Sequence, residues 1–294
     1  MSALGEKPAF LTHHIRNLRG DSQPILAEAS DGLLHVVKFT NNLQGPNLQF
    51  NESMGTELYR LSNLPVPCWR PLLVTRKFLD KNPACRIETP YGNLRPAEGL
   101  CFGSRFLGSC NIRLLEIIPQ SSMKRVGNLT DFWMAWLLDI CAGHADNRQA
   151  IFRQENGLLD AIFLDHGHMF GGPKGDRRLP FEACRYLDRR IYADIPFKYV
   201  SDLRRIAVNL DTDKLWKVMQ QLPAEWKTDS AVEKFAECLD ALSKPYLIEG
   251  VLETIVDAHC TAIEINERRH RGNTAELVSR STILARGTRQ LLAV

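Results

Sequence analysis

The sequence predicts an α+β chain: a strand-rich first part, a polar connector, and a larger, mostly helical second part that opens with a hairpin. Short β-prone runs bounded by turn signals crowd the residues before 119, which is the first observation behind this reading. The second is that apolar residues recur at helical spacing from about 197 to 292, with breaks at Pro223, Pro245 and Gly272. The third is the stretch from Asp139 to Phe170, DICAGHADNRQAIFRQENGLLDAIFLDHGHMF. In it, two apolar runs flank the turn Glu155-Asn156-Gly157.

Taken in order, the first strands come early. Gly20-Asp21-Ser22-Gln23-Pro24 is a polar break, Ile25 to Ala29 a short strand, and Leu33 to Phe39 a better one. Between the two strands, Asp31-Gly32 is a strong hairpin turn signal. In LLHVVKF, Leu34, Val36 and Lys38 share one face, and Leu33, His35, Val37 and Phe39 the other. A strand that is apolar on both faces is buried, so Lys38 must either meet an anion or snorkel out at the strand end.

A helix is expected from 47 to about 62, where Phe50, Met54, Leu58 and Leu61 form a stripe. Leu64-Pro65-Val66-Pro67 forbids its continuation. It carries Glu52 and Glu57. Helical geometry puts Glu57 beside the stripe and Glu52 nearly opposite, and either can pair with Lys38. Arg70 to Arg76 and Gly99 to Leu107 read as strands, and Lys77 to Ala97, rich in Pro, Asn and charge, as an exposed excursion. Ile112 to Ile118 is apolar and closes at Pro119, before a polar linker over 120–128. Asn128 or Thr130 is placed to cap the next helix, whose Phe132, Trp133, Trp136, Leu137 and Ile140 make a wide core face.

That helix leads into the hairpin. Asp146 and Asn147 enter it and Asp165 leaves it, so the fold-back brings carboxylates and amides to one edge. Ordinary turn chemistry explains such residues equally well. The same arrangement also suits a Mg²⁺-nucleotide site, because hard cations take oxygen ligands. After the hairpin come a Gly-Gly-Pro loop over 171–180, a basic and aromatic run over 186–192, and the helical remainder, which ends in an amphipathic segment over 275–293.

Composition excludes several classes. With 37 basic and 34 acidic residues the net charge is +3, too balanced for a nucleic-acid binder recognised by bulk charge. No apolar run approaches the roughly 18 residues of a membrane span, and MSALGEKPAF lacks the pattern of a secretory leader. The 8 cysteines include no C-x-x-C pair, which points to a reducing, cytoplasmic setting. His144, His166 and His168 suggest a metal centre only weakly, since His-x-His is not a usual zinc spacing.

The segments RGDSQPIL, LLHVVKF, NESMGTELYRLSNLPVP, GLCFGSRFL, GHADNRQAIF and FLDHGHMF, spread over roughly residues 15 to 172, resemble the HipA-like kinases. These are a bacterial branch related to protein and phosphoinositide kinases. The resemblance implies a two-lobed protein-kinase-like fold, with a nucleotide-covering N-lobe over 1–119 and a C-lobe over 120–294 forming one domain. By the same resemblance, Lys38 holds the α- and β-phosphates of ATP, and Glu52, in the pair Asn51-Glu52, is its partner in preference to Glu57. Gly20, Asp21, Ser22 and Gln23 form the phosphate-covering loop, and Asp165 of Asp-His-Gly binds Mg²⁺.

The catalytic loop departs from the family's common pattern, in which the base lies five residues before a metal-binding Asn; here that position is Ala142. A branch of the family with Asp followed three residues later by Gln fits Asp146 and Gln149. Asp146 is therefore assigned as base or hydroxyl-orienting residue, and Gln149 or Asn147 as the amide on Mg²⁺, with Asp139 a weaker candidate for the base. The implied activity is Mg-ATP-dependent Ser/Thr protein phosphorylation, and the alternative is a nucleotide-binding pseudokinase or interaction module. The protein substrate, and any cognate regulatory partner, is not named by the sequence.

Overall fold

The computed structural model describes residues 8–109, 112–175, 184–192 and 197–257. The expected segment over 275–293 and the break at Gly272 lie outside them. Strands β1 (Ala9–Asn17), β2 (Ile25–Ala29) and β3 (Leu34–Lys38) are followed by helix α1 (Leu48–Leu61) and strand β4 (Trp69–Val74). Then come helix α2 (Arg76–Lys81), the small hairpin β5 (Ile87–Thr89) and β6 (Gly92–Leu94), and strand β7 (Gly99–Arg105). Five of these strands close a barrel in the order β1-β2-β3-β7-β4, with β1 and β4 meeting in parallel at Ala9–Leu72 and Phe10–Leu73. Val37, Phe39, Leu72, Val74 and Cys101 fill it.

The run over 77–97 is not a mere surface excursion. Thr75 caps α2 by accepting from the Phe78 N–H at 3.2 Å, and Phe78, Leu79, Cys85 and Ile87 are buried in the barrel's core. Four apolar side chains scattered among charges carry no helical or strand period, so the sequence pattern hides them.

Helix α1 is buried on every side from Leu48 to Tyr59. Burying so many polar groups demands partners, and they are present. Gln49 Nε2 donates to the Lys38 and Phe39 carbonyls, both at 3.0 Å, and its Oε1 accepts from Phe102 N at 2.6 Å. Ser53 and Thr56 bond carbonyls one turn back. A helix between two layers has no solvent face, which is why a stripe argument cannot choose between Glu52 and Glu57.

The second layer begins with β8 (Arg113–Leu115), α3 (Asp131–Cys141) and the hairpin β9 (Gln149–Glu155) and β10 (Leu158–Leu164). Asn156 (φ 50°) and Gly157 (φ 82°) turn the hairpin with positive φ at both corners, the geometry that matches strand twist. β8 pairs with β9, giving a sheet of order β10-β9-β8. Neither expected residue caps α3 by its side chain. Thr130 makes no capping bond, and Asn128 instead staples the helix start to β10 through Asp131 and the Ala161 peptide. Helices α4 (Phe197–Val208), α5 (Thr212–Gln221) and α6 (Asp229–Ser243), and a helical run over 245–257, complete the layer. The larger core joins Phe50, Met54, Leu58 and Tyr59 of α1 to α3, the hairpin and these helices. Among the described residues, no helix is long and apolar enough to cross a membrane.

Candidate active site

Lys38 is the last residue of β3, paired in register with Phe102 of β7, and it points at α1 from the barrel wall. Its Nζ donates to Glu52 Oε1 and, at 2.9 Å, to Asp165 Oδ1. The snorkelling alternative is excluded, since Lys38 is buried and meets two carboxylates. Helix α1 docks directly on the Asp165-His166-Gly167 turn. Asn51 Nδ2 donates to the Gly167 carbonyl at 2.9 Å, and Glu52 Oε2 accepts from His166 N at 3.2 Å. Tyr59 packs edge-on to the His166 ring at 4.6 Å. Two glycines permit this approach. A Cβ on Gly55 would lie 2.5 Å from both His166 Cβ and Met169 Sδ, and one on Gly167 would lie 2.4 Å from Leu48 Cδ1.

The electrostatics follow from one cation set between two anions. Burial alone would lower the Lys38 ammonium, but Asp165 and Glu52 override it and hold its pKa above the usual lysine range. Burial would likewise raise Asp165, yet Lys38 pulls it well below the ordinary carboxylate value. Glu52 takes the opposite course. Burial pushes it up to about 7, with Lys38 pulling back and the charge on Asp165 adding to the rise.

The loop from His144 to Gln149 is laced to the same turn. Ala145 N donates to the His168 carbonyl at 2.9 Å, and Phe170 N to that of Ala142 at 2.7 Å. Asp146 is half-buried, and its Oδ1 accepts from Asn147 N at 2.7 Å. Asn147 and Gln149 are exposed, and the register sets Gln149 opposite Leu164, next to Asp165. The structure thus joins Lys38, Glu52 and Asp165 in one cluster, while Gln149 stands across from Leu164 and Asp146 and Asn147 lie on the adjoining loop. Burial, reinforced by the charge of Arg148, takes His144 down to about 4. The ring is therefore neutral, and its Nδ1 lies 2.8 Å from the Asp146 carbonyl, to which it donates.

Several expected or alternative residues are committed elsewhere. Gln23 is held by the neighbouring hairpin. Its side-chain amide clasps the Glu88 peptide from both sides, at 2.8 and 2.7 Å, and its own N–H goes to the Gly20 carbonyl. The rest of that loop is a turn, with Gly20 at φ 132°, Ser22 buried and Asp21 exposed. Glu57 is taken by Arg60 and by Trp69 Nε1 at 2.9 Å. Asp139 is fully buried, with both oxygens engaged by Arg148 and one also by Tyr59. Ala142 is buried at the end of α3.

Among the described residues, no group of three or more His, Cys, Asp or Glu side chains is placed to hold a metal, so a zinc cage from His144, His166 and His168 does not form. The hard-oxygen donors named for a cation are the Asp165 carboxylate and the side-chain amides of Gln149, which pairs across from Leu164, and of Asn147 on the loop before it. That set suits Mg²⁺, which takes one or two protein carboxylates and fills its shell with water and phosphate oxygens.

Sequence reasoning gave no role to Arg148, Asn51 or Tyr59. Arg148 had a readable signal: it stands just before β9, in alternation with the buried Ala150 and Phe152, where an always-charged group needs a partner.

No family model matches the chain, and no curated protein sequence is similar to it. Solved structures are. Hydra Fam20 with sugar aligns over 85% of this chain and 86% of its own, at 14% identity and a TM-score of 0.53. The Helicobacter pylori proinflammatory kinase CtkA aligns over 87% and 96%, at 12% identity and a TM-score of 0.53. The chain has a kinase-like fold. At these identities the likeness is one of fold, and it does not distinguish a HipA-like chain from other kinase-like ones.

Proposed function

We propose that this chain is a Mg-ATP-dependent phosphotransferase of HipA-like type, acting in the cytoplasm on a Ser or Thr hydroxyl of a protein. The observation that carries the proposal is the buried Lys38 held between Glu52 and Asp165. Buried charges are paired, and here one ammonium faces two carboxylates, an excess of negative charge that a divalent cation carried in with the phosphates would offset. In this reading Lys38 binds the α- and β-phosphates, Glu52 orients it, and the loop of Gly20, Asp21 and Ser22 covers the phosphates.

Asp165 with Gln149 and Asn147 would hold Mg²⁺, which when bound neutralises charge on the phosphate oxygens. Asp146 orients the substrate hydroxyl and takes its proton. The hydroxyl oxygen then bonds to the γ-phosphorus as the bond to the ADP oxygen breaks.

One observation favours a second reading, nucleotide binding without turnover: Ala142 stands where the common family pattern has its base, and it is buried. Transfer of labelled γ-phosphate to proteins of a cell lysate separates the two. The proposal expects transfer by the wild type and a loss of about 10²- to 10⁴-fold in Asp146→Asn. No transfer to protein or to water by the wild type, with nucleotide still bound, would establish the second reading.

A further inference from the structure

Arg148 is used by no step of the proposed chemistry, yet its side chain is only 1% exposed. Its Nε and Nη2 grip Asp139 Oδ2 and Oδ1 at 2.9 and 2.5 Å. The remaining nitrogen, Nη1, donates to the Leu164 carbonyl at 2.8 Å and to the Asp165 carbonyl at 3.2 Å, and lies 3.4 Å from His166 Nδ1. Tyr59 closes the assembly, its hydroxyl donating to Asp139 at 2.7 Å and its ring centre 4.9 Å from the guanidinium carbon.

Successive carbonyls of an extended strand point to opposite sides. Two that converge on a single nitrogen require the chain to turn at the residue between their peptide planes. That residue is Asp165, whose φ of 58° is the left-handed conformation a non-glycine residue adopts only when its surroundings hold it there.

We infer that Arg148 is a positioning residue that fixes Asp165 in its left-handed, metal-facing conformation by clamping the carbonyls on both sides of its Cα. Neutralising Asp139 needs only a positive charge; spanning Asp139 and both carbonyls needs the planar fork of a guanidinium. The metal-facing role of Asp165 rests on the phosphotransferase reading, whereas the clamp on its backbone does not.

The test is the double variant Arg148→Met/Asp139→Leu, which removes the clamp without leaving a buried charge unpaired. Tyr59 keeps an acceptor in it, the Ala135 carbonyl at 3.2 Å. Calorimetry would measure ATP affinity with Mg²⁺ and with EDTA, and amide hydrogen exchange over 166–170 would be followed in the free protein.

The clamp predicts a folded variant with unchanged ATP affinity in EDTA, an enhancement by Mg²⁺ reduced about 10- to 100-fold, and faster exchange over 166–170. A folded variant with full Mg²⁺ enhancement and wild-type exchange would overturn it, leaving Arg148 as a mere counter-charge. If the wild type itself showed no Mg²⁺ enhancement, the phosphotransferase reading would fall, and the exchange arm would still decide the clamp. Should the double variant not fold, Arg148→Lys, which retains a charge for Asp139 but not the fork, is read by the same two measurements.

Discussion

Two buried charge clusters meet at Asp165, and they are built differently. Around Arg148 the count closes: one guanidinium, one carboxylate, side chains 1% and 0% exposed, and a tyrosine hydroxyl filling out the hydrogen bonds. Around Lys38 it does not. One ammonium faces two carboxylates, and the Asp165 side chain is 26% exposed. Surplus negative charge in a low-dielectric site is unfavourable, and the charge of Asp165 adds to the rise, to about 7, that burial imposes on Glu52. A sealed, neutral cluster fixes geometry. An open one with a spare carboxylate is complete only when a cation or a proton joins it, which is what a Mg-nucleotide site requires.

Substitutions that treat the clusters alike should break this contrast or sharpen it. The largest effect is expected for Asp139→Asn, which strands the Arg148 charge in the core and should cost about 3–5 kcal/mol in urea unfolding. Asp165→Asn should cost less, about 1.5–3 kcal/mol, the worth of one hydrogen bond to a charged group, because Glu52 still faces Lys38. Equal losses would erase the distinction between a structural and a functional cluster.

Next in size is Gly55→Ala. The added methyl meets His166 Cβ, so α1 must back away from the turn, at a cost of about 1–3 kcal/mol. Nucleotide binding should weaken with it, since Asn51 and Glu52 ride on the same helix face. Unchanged unfolding and binding in Gly55→Ala would mean that the close approach is unimportant.

The smallest effects are those of pH, and the signs differ between the clusters. His144, packed by the sealed cluster, has a folded pKa lowered from 6.5 to about 4. Its neutral form is favoured by folding, so this contribution is full above about 6.5 and is lost as pH falls toward 4. Glu52, in the open cluster, is raised from 4.5 to about 7, so its contribution is full below 4.5 and is lost as pH rises through 7. The two windows overlap with opposite slopes, so between about pH 4.5 and pH 6.5 urea unfolding should show stability falling more steeply with pH in His144→Gln, and rising more with pH in Glu52→Gln, than in the wild type. The reverse changes of slope would contradict the electrostatics of both clusters.

Much of this architecture was legible because local signals agreed with tertiary demands. Asp31-Gly32 and Asn156-Gly157 announced their turns, and a lysine on a strand apolar on both faces reduced its fate to two, an anionic partner or an escape to solvent at the strand end. What could not be read depended on surroundings that no local pattern encodes. The plug of Phe78, Leu79, Cys85 and Ile87 has no period, and the burial of α1 on all sides defeats any choice of face for its glutamates. Gln23 illustrates a third case: a polar residue in a polar loop gives no sign of being clasped to the Glu88 peptide. Arg148 is different, since its alternation with the inward-facing Ala150 and Phe152 of β9 was readable and was passed over.

The most direct test of the open cluster as a Mg-nucleotide site is calorimetric titration of ATP, with Mg²⁺ and with EDTA, into the wild type, Lys38→Ala and Asp165→Ala. The wild type should bind ATP more tightly with Mg²⁺ than without. Asp165→Ala should lose only that difference, because it removes the hard-oxygen ligand, and Lys38→Ala should bind weakly in both conditions because it removes the phosphate counter-charge. Equal wild-type affinity in Mg²⁺ and EDTA, or an unchanged affinity in Lys38→Ala, would contradict the account.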